Sequence, residues 1–113
     1  MYIVSKIWLN QNGKAFGDGP YDLLTGIDRL GSLRKAASEM GMSYNQAWHL
    51  IQTIEGRLGF SLITRQVGGN SGGGSTVTPK GRLLMERYKA FREESKEVLE
   101  QLYEKHFQQM FGT

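Results

Sequence analysis

Residues 32–59 read SLRKAASEMGMSYNQAWHLIQTIEGRLG. Two helices joined by a tight turn need small residues where they cross, a glycine in the turn and apolar residues at fixed core positions. Counted from Leu33, the fourth and fifth places are Ala36 and Ala37, the eighth to tenth are Met40-Gly41-Met42, and the fifteenth and eighteenth are Ala47 and Leu50. Each residue fits a helix-turn-helix. Two helices of an ordinary bundle would carry an apolar stripe, but they seldom carry this whole set, so the DNA-binding reading is favoured. Ser32 and Ser43 each precede a helical run and are suited to accept its first free N–H groups.

The second helix assigns work to residues. If Ala47, Leu50, Ile51, Ile54 and Leu58 face inward, then at about 100° per residue Asn45, His49 and Gln52 point outward. Tyr44 and Trp48 fall on one flank, one turn apart and placed to stack together, with Gln46 and Thr53 on the other. Asn and Gln pair bidentately with adenine, and His donates to guanine acceptors. An exposed polar face is also what any solvated helix presents, and that reading competes residue by residue. Trp48 reads mainly as support for the helix, and the Tyr44 hydroxyl as a phosphate contact. His49 lacks a second His or Cys nearby, so no metal is expected.

Beyond Leu58, FSLITRQV and STVT read as strands on either side of GGNSGGGS at residues 68–75, which holds five of the fifteen glycines. A Walker-type phosphate loop needs a lysine and an immediate helix, and Gly74 is followed instead by Ser75 and a strand. The dinucleotide fingerprint fails at Val77. A linker is disfavoured because both flanks look like strands of one sheet. A hairpin wing at about 61–78 remains. In it Gly72, Gly73 and Gly74 would let the backbone approach DNA, with Arg65 and Lys80 at its base for phosphates.

On the N-terminal side, IVSKIWLNQNGKAF is a strand-like run ended by Asn12-Gly13, a hairpin signal. Pro20 suits the first turn of a helix reaching Leu30. On the C-terminal side, Thr78-Pro79 caps a long helix to about Phe107, along which Leu84, Tyr88, Phe91, Ser95, Val98 and Leu102 form a heptad-like seam for a homodimer interface. The fold class is α+β, mainly α: one winged helix-turn-helix domain over 1–113, with an N-terminal β-hairpin and a long C-terminal dimerisation helix.

Composition agrees. With 39% hydrophobic and 22% charged residues the 113-residue chain is an ordinary globular domain. It has no cysteine, which excludes disulfides and is compatible with a reducing cytoplasm. Neither a membrane span nor a signal peptide is read, so a cytoplasmic location is expected. From Ser32 to Arg82 six basic residues, including Arg34, Arg57, Arg65 and Lys80, meet two acidic ones. That segment would attract a polyanion, although a solvated basic face looks the same by charge alone. No catalytic residue and no cofactor are expected.

The same stretch resembles the DNA-binding domain of the molybdate-responsive ModE regulator family. The shared marks are Gly31-Ser32, Ala36-Ala37, Gly41-Met42-Ser43-Tyr44, Ala47-Trp48, Arg65, the glycine-rich wing and Thr78-Pro79-Lys80-Gly81. The broader LysR-type regulators share the helix-turn-helix and the helix start at Thr78. The resemblance implies a winged-helix dimer that binds a palindromic DNA operator. A protein-interaction module without specific DNA binding is the alternative. ModE proteins carry molybdate-binding domains after the long helix, for which these residues leave no length. The expectation is that this chain alone does not bind molybdate, and that any sensing comes from a separate effector-binding chain or a ligand at the dimer interface.

Overall fold

A computed structural model describes residues 1–66 and 74–111. Their order is β1 (Trp8–Asn10), β2 (Lys14–Gly17), α1 (Asp18–Leu30), α2 (Leu33–Glu39), α3 (Tyr44–Leu58), β3 (Ile63–Gln66), β4 (Gly74–Val77) and α4 (Pro79–Phe111). The strands form two antiparallel pairs, β1 with β2 and β3 with β4.

The first hairpin turns through Asn12 and Gly13, both at positive φ, with the Gly13 N–H on Asn10 Oδ1 at 3.0 Å. Its first strand begins only at Trp8, so the apolar run before it lies outside the ladder. Helix α1 starts at Asp18, two residues before the expected Pro20. The first N–H groups of a helix have no intrahelical acceptor, so proline costs nothing as the third residue, and an acidic side chain in that turn suits the helix dipole.

Ser32 Oγ accepts from Lys35 N at 3.1 Å and opens α2. Ser43 and Gln46 form a reciprocal capping box at the start of α3. Between them Gly41 sits at φ 70°, a left-handed conformation that a residue with a Cβ resists. Helices α1 and α2 cross so closely that a β-carbon on Gly26 would lie 3.0 Å from that of Ala36. Phe16, Leu24, Ile27, Ala37, Ile51 and Leu62 are fully buried around this crossing. On α3 the inward stripe is fully buried only at Ala47, Ile51 and Ile54, while Leu50 and Leu58 pack against its edge.

The β3–β4 hairpin is anchored at both ends. Glu55 of α3 accepts from the N–H groups of Leu62 and Ile63 at 2.7 and 3.3 Å, and Ser75 N–H donates to the Gly31 carbonyl at 3.0 Å. Where β4 runs into α4, Thr78 Oγ1 donates to the Ser61 carbonyl and accepts from Gly81 N, while Thr78 N donates to Leu62 O at 2.9 Å.

Helix α4 continues four residues past the expected end. Its 33 residues span about 50 Å of a molecule 63 Å long. Its first turns pack on the core, and farther along Arg92, Leu99, Tyr103 and Gln108 line a cavity with the N-terminal residues 1–7. The structure also corrects the proposed seam. Tyr88 is 2% exposed in the single chain, edge-on to Phe16, and so is not free for a partner, while Leu84 is half-buried against the core. The Tyr88 hydroxyl donates to Asp18 Oδ1 at 2.6 Å, and Arg92 donates to the same oxygen at 2.8 Å. These bonds hold the Asp18 carboxyl below the usual carboxylate range, the tyrosine bond first. Burial and then the carboxylate push the Tyr88 phenol up to about 12. A bidentate pair from Arg82 to Asp28 fastens the start of α4. Farther along, Phe91, Val98 and Leu102 remain exposed. Among the described residues no helix is long and apolar enough to cross a membrane.

Candidate nucleic-acid interface

Asn45, His49 and Gln52 lie exposed along α3, as the helical spacing requires. The capping box uses the Gln46 carbonyl oxygen, which accepts from Ser43 N at 3.0 Å and leaves the amide donors outward. Gln52 Nε2 reaches Glu55 at 3.4 Å. Ser32 and Ser43 accept the helix N–H groups through their oxygens, which leaves each hydroxyl proton for an external acceptor.

The flank of α3 differs from the expectation that Tyr44 and Trp48 stack on each other. Arg65, from β3, places its guanidinium carbon 5.8 Å from the Tyr44 ring centroid and 4.6 Å from that of Trp48, and donates to the Tyr44 hydroxyl. Arg34, from α2, lies 4.5 Å from the Tyr44 centroid. A cation over an aromatic face gains from the ring quadrupole, so two arginines and two rings make a ladder joining α2, α3 and the wing base. Arg65 is 21 residues from Tyr44, and nothing local in the sequence announces that meeting.

Arg57 needs correction. Its Nη1 donates to the Lys14 carbonyl, and its guanidinium lies against Gly13, so it braces the N-terminal hairpin and is not held out for a phosphate. Lys80 is exposed, its Nζ 5.3 Å from the Phe60 ring. Gly74 pairs with Gln66 and backs onto the Gly31 carbonyl, where a β-carbon would lie 2.9 Å away. It therefore serves the packing of the wing base. Gly72 and Gly73, proposed for the wing tip, lie outside the described residues. Among the described residues no cluster of three or more His, Cys, Asp or Glu side chains is placed to hold a metal.

A helix-turn-helix whose second helix presents a polar face, followed by an anchored hairpin, defines the winged helix-turn-helix class. Residues 22–82 match the family described as bacterial regulatory helix-turn-helix protein, lysR family, and the chain belongs to that family. It is 38% identical over 82 residues to the molybdenum-pterin-binding protein MopB of Rhodobacter capsulatus, covering 73% of this chain and 30% of that protein. Over 93 residues it is 36% identical to the molybdenum transport protein ModE of Azotobacter vinelandii, covering 82% of this chain and 34% of the relative. The DNA-binding transcriptional dual regulator ModE of Escherichia coli K12 is 35% identical over 66 residues, covering 58% and 25%. The chain thus spans about a third or less of these relatives. Among solved structures, CbnR_DBD in its DNA complex superposes with a TM-score of 0.56 at 19% identity, covering 71% of this chain and 86% of that one. BenM_DBD with benA site 1 DNA gives 0.52 at 17% identity, covering 72% and 85%. These likenesses establish the fold.

Proposed function

We propose that the chain is a sequence-specific double-stranded DNA-binding transcription regulator, non-enzymatic, acting in the cytoplasm as a homodimer on a palindromic operator. The observation that carries this reading is the exposed Asn45, His49 and Gln52 face, flanked by Arg34 and Arg65, neither of which has a carboxylate partner among the described residues. Asn45, His49 and Gln52 read base edges in the major groove, while Ser32, Ser43, Gln46 and Lys80 bind the backbone. Phe91, Val98 and Leu102 pair across the two-fold axis. The DNA-binding regulators among the relatives support the same assignment.

The test is capture of genomic DNA fragments by the purified chain, followed by sequencing and a salt titration of the enriched fragment. Enrichment of a two-fold symmetric motif, with affinity falling steeply as salt rises, is the expected result. Binding with no enriched motif and a flat salt dependence would refute it and favour the protein-interaction alternative.

A further inference from the structure

We propose that Arg34 and Arg65 form one backbone-phosphate clamp in which Tyr44 is a positioning residue, so that the wing base is set in place by the reading helix. The inference rests on the DNA-binding assignment above and goes beyond it by making the clamp a single unit.

The observations are geometric. Both guanidinium carbons lie within 6 Å of the Tyr44 centroid, at 4.5 and 5.8 Å, and both arginines are exposed. Three other arginines, Arg29, Arg82 and Arg92, each hold a carboxylate. The two acidic residues of the basic segment are engaged elsewhere: Glu39 holds Arg29, and Glu55 holds the backbone of Leu62 and Ile63. Arg34 and Arg65 are therefore two like charges gathered at one ring with no carboxylate partner among the described residues to offset their repulsion. An incoming phosphate supplies an anion.

Stacking also fixes the direction of approach. A guanidinium lying on a ring keeps its in-plane N–H donors outward, the fork that suits a phosphate. For Arg65 the Trp48 face and the Tyr44 hydroxyl restrict the side chain from two sides. Freezing a long side chain before binding removes an entropy cost that a free arginine would meet on contact. The clamp acts on the backbone and carries no base information, so it sets affinity and register and leaves sequence preference to α3.

The experiment compares the enriched genomic duplex with a random duplex of equal length, for wild type, Arg34→Gln, Arg65→Gln, Tyr44→Phe and Tyr44→Phe with Arg65→Gln. Thermal melts confirm that each variant is folded. Each arginine variant is expected to reduce the salt slope by about one and to weaken both duplexes equally. Tyr44→Phe removes no charge and keeps the ring, yet is expected to weaken both duplexes about fivefold and to have no further effect once Arg65 is Gln. An equal Tyr44→Phe loss in both backgrounds would show the hydroxyl meeting DNA itself, and unchanged slopes in the arginine variants would show no phosphate contact. Either overturns the clamp while leaving DNA binding intact. A wild-type chain that binds neither duplex sinks both proposals.

Discussion

Replacing Gly81 with alanine adds one carbon at the junction of wing and long helix. That carbon would lie 2.6 Å from the Leu62 carbonyl oxygen, 3.0 Å from Val77 Cγ1 and 3.1 Å from Thr78 Oγ1. A comfortable approach is near 3.5 Å, so either the β3 entry or the first turn of α4 must retreat by roughly 1 Å. The same Leu62 oxygen accepts the Thr78 N–H at 2.9 Å, so the retreat loosens the bond that seats α4. Overpacking of this kind costs about 1–3 kcal/mol, against which alanine gains up to about 1 kcal/mol in helix propensity. A net loss of about 1 kcal/mol corresponds to a melting temperature about 4 °C lower for a domain of this size. Gly56 in α3 is the internal control, because a β-carbon there meets nothing within 4 Å. Gly56→Ala should keep the propensity gain and melt up to about 4 °C above wild type. Far-UV circular dichroism melts of the three proteins read the two shifts. If both variants melt above wild type, the close approach at Gly81 does not constrain the fold.

Alanine variants of Asn45, His49 and Gln52 should melt like wild type and lose about 1–3 kcal/mol each of preference for the enriched site over random DNA, read by competition binding; an unchanged preference in all three would remove α3 from base reading. Phe91→Asp should give monomers in sedimentation velocity where wild type sediments as a dimer, and a monomeric wild type would refute the seam. Asp18 and Asp28 both titrate below their unfolded values, so the stability they add is present above about pH 4 and is lost as pH falls through their folded values. Melting temperature should therefore fall more steeply from pH 5 to pH 2 for wild type than for Asp18→Asn, and parallel curves would contradict the assignment. Calorimetric titration with molybdate should show no saturable heat, whereas micromolar binding near one ion per chain or per dimer would place a sensor in this chain.

The helix-turn-helix was legible because its grammar is local: caps, turn glycine, small crossing residues and inward stripe all fall within 28 consecutive residues, 32–59. The wing strands and the start of α4 at Pro79 were legible for the same reason. Tyr88 was misplaced because a heptad spacing shows only that one side of a helix is apolar, and here its first part is covered by the chain's own Phe16 and Tyr21. Arg57 was drawn to the DNA face by its charge, although its partner is a backbone carbonyl 43 residues away. The arginine ladder escaped notice since it joins three elements, and periodicity speaks only within one.

The shared oxygen of Asp18 has a mechanical meaning. It receives Tyr88 and Arg92 where α4 leaves the helical core, and from Arg92 to Phe111 the helix runs on for about 28 Å beside the N-terminal residues 1–7. A tilt of about 10° at that anchorage would carry the far tip about 5 Å sideways. In an assembly built on α4, the separation of two reading helices would then depend on this carboxylate, together with the N-terminal residues beside the helix, both remote from DNA. Sequence changes around Asp18 would retune which half-site spacing is accepted without altering a base contact.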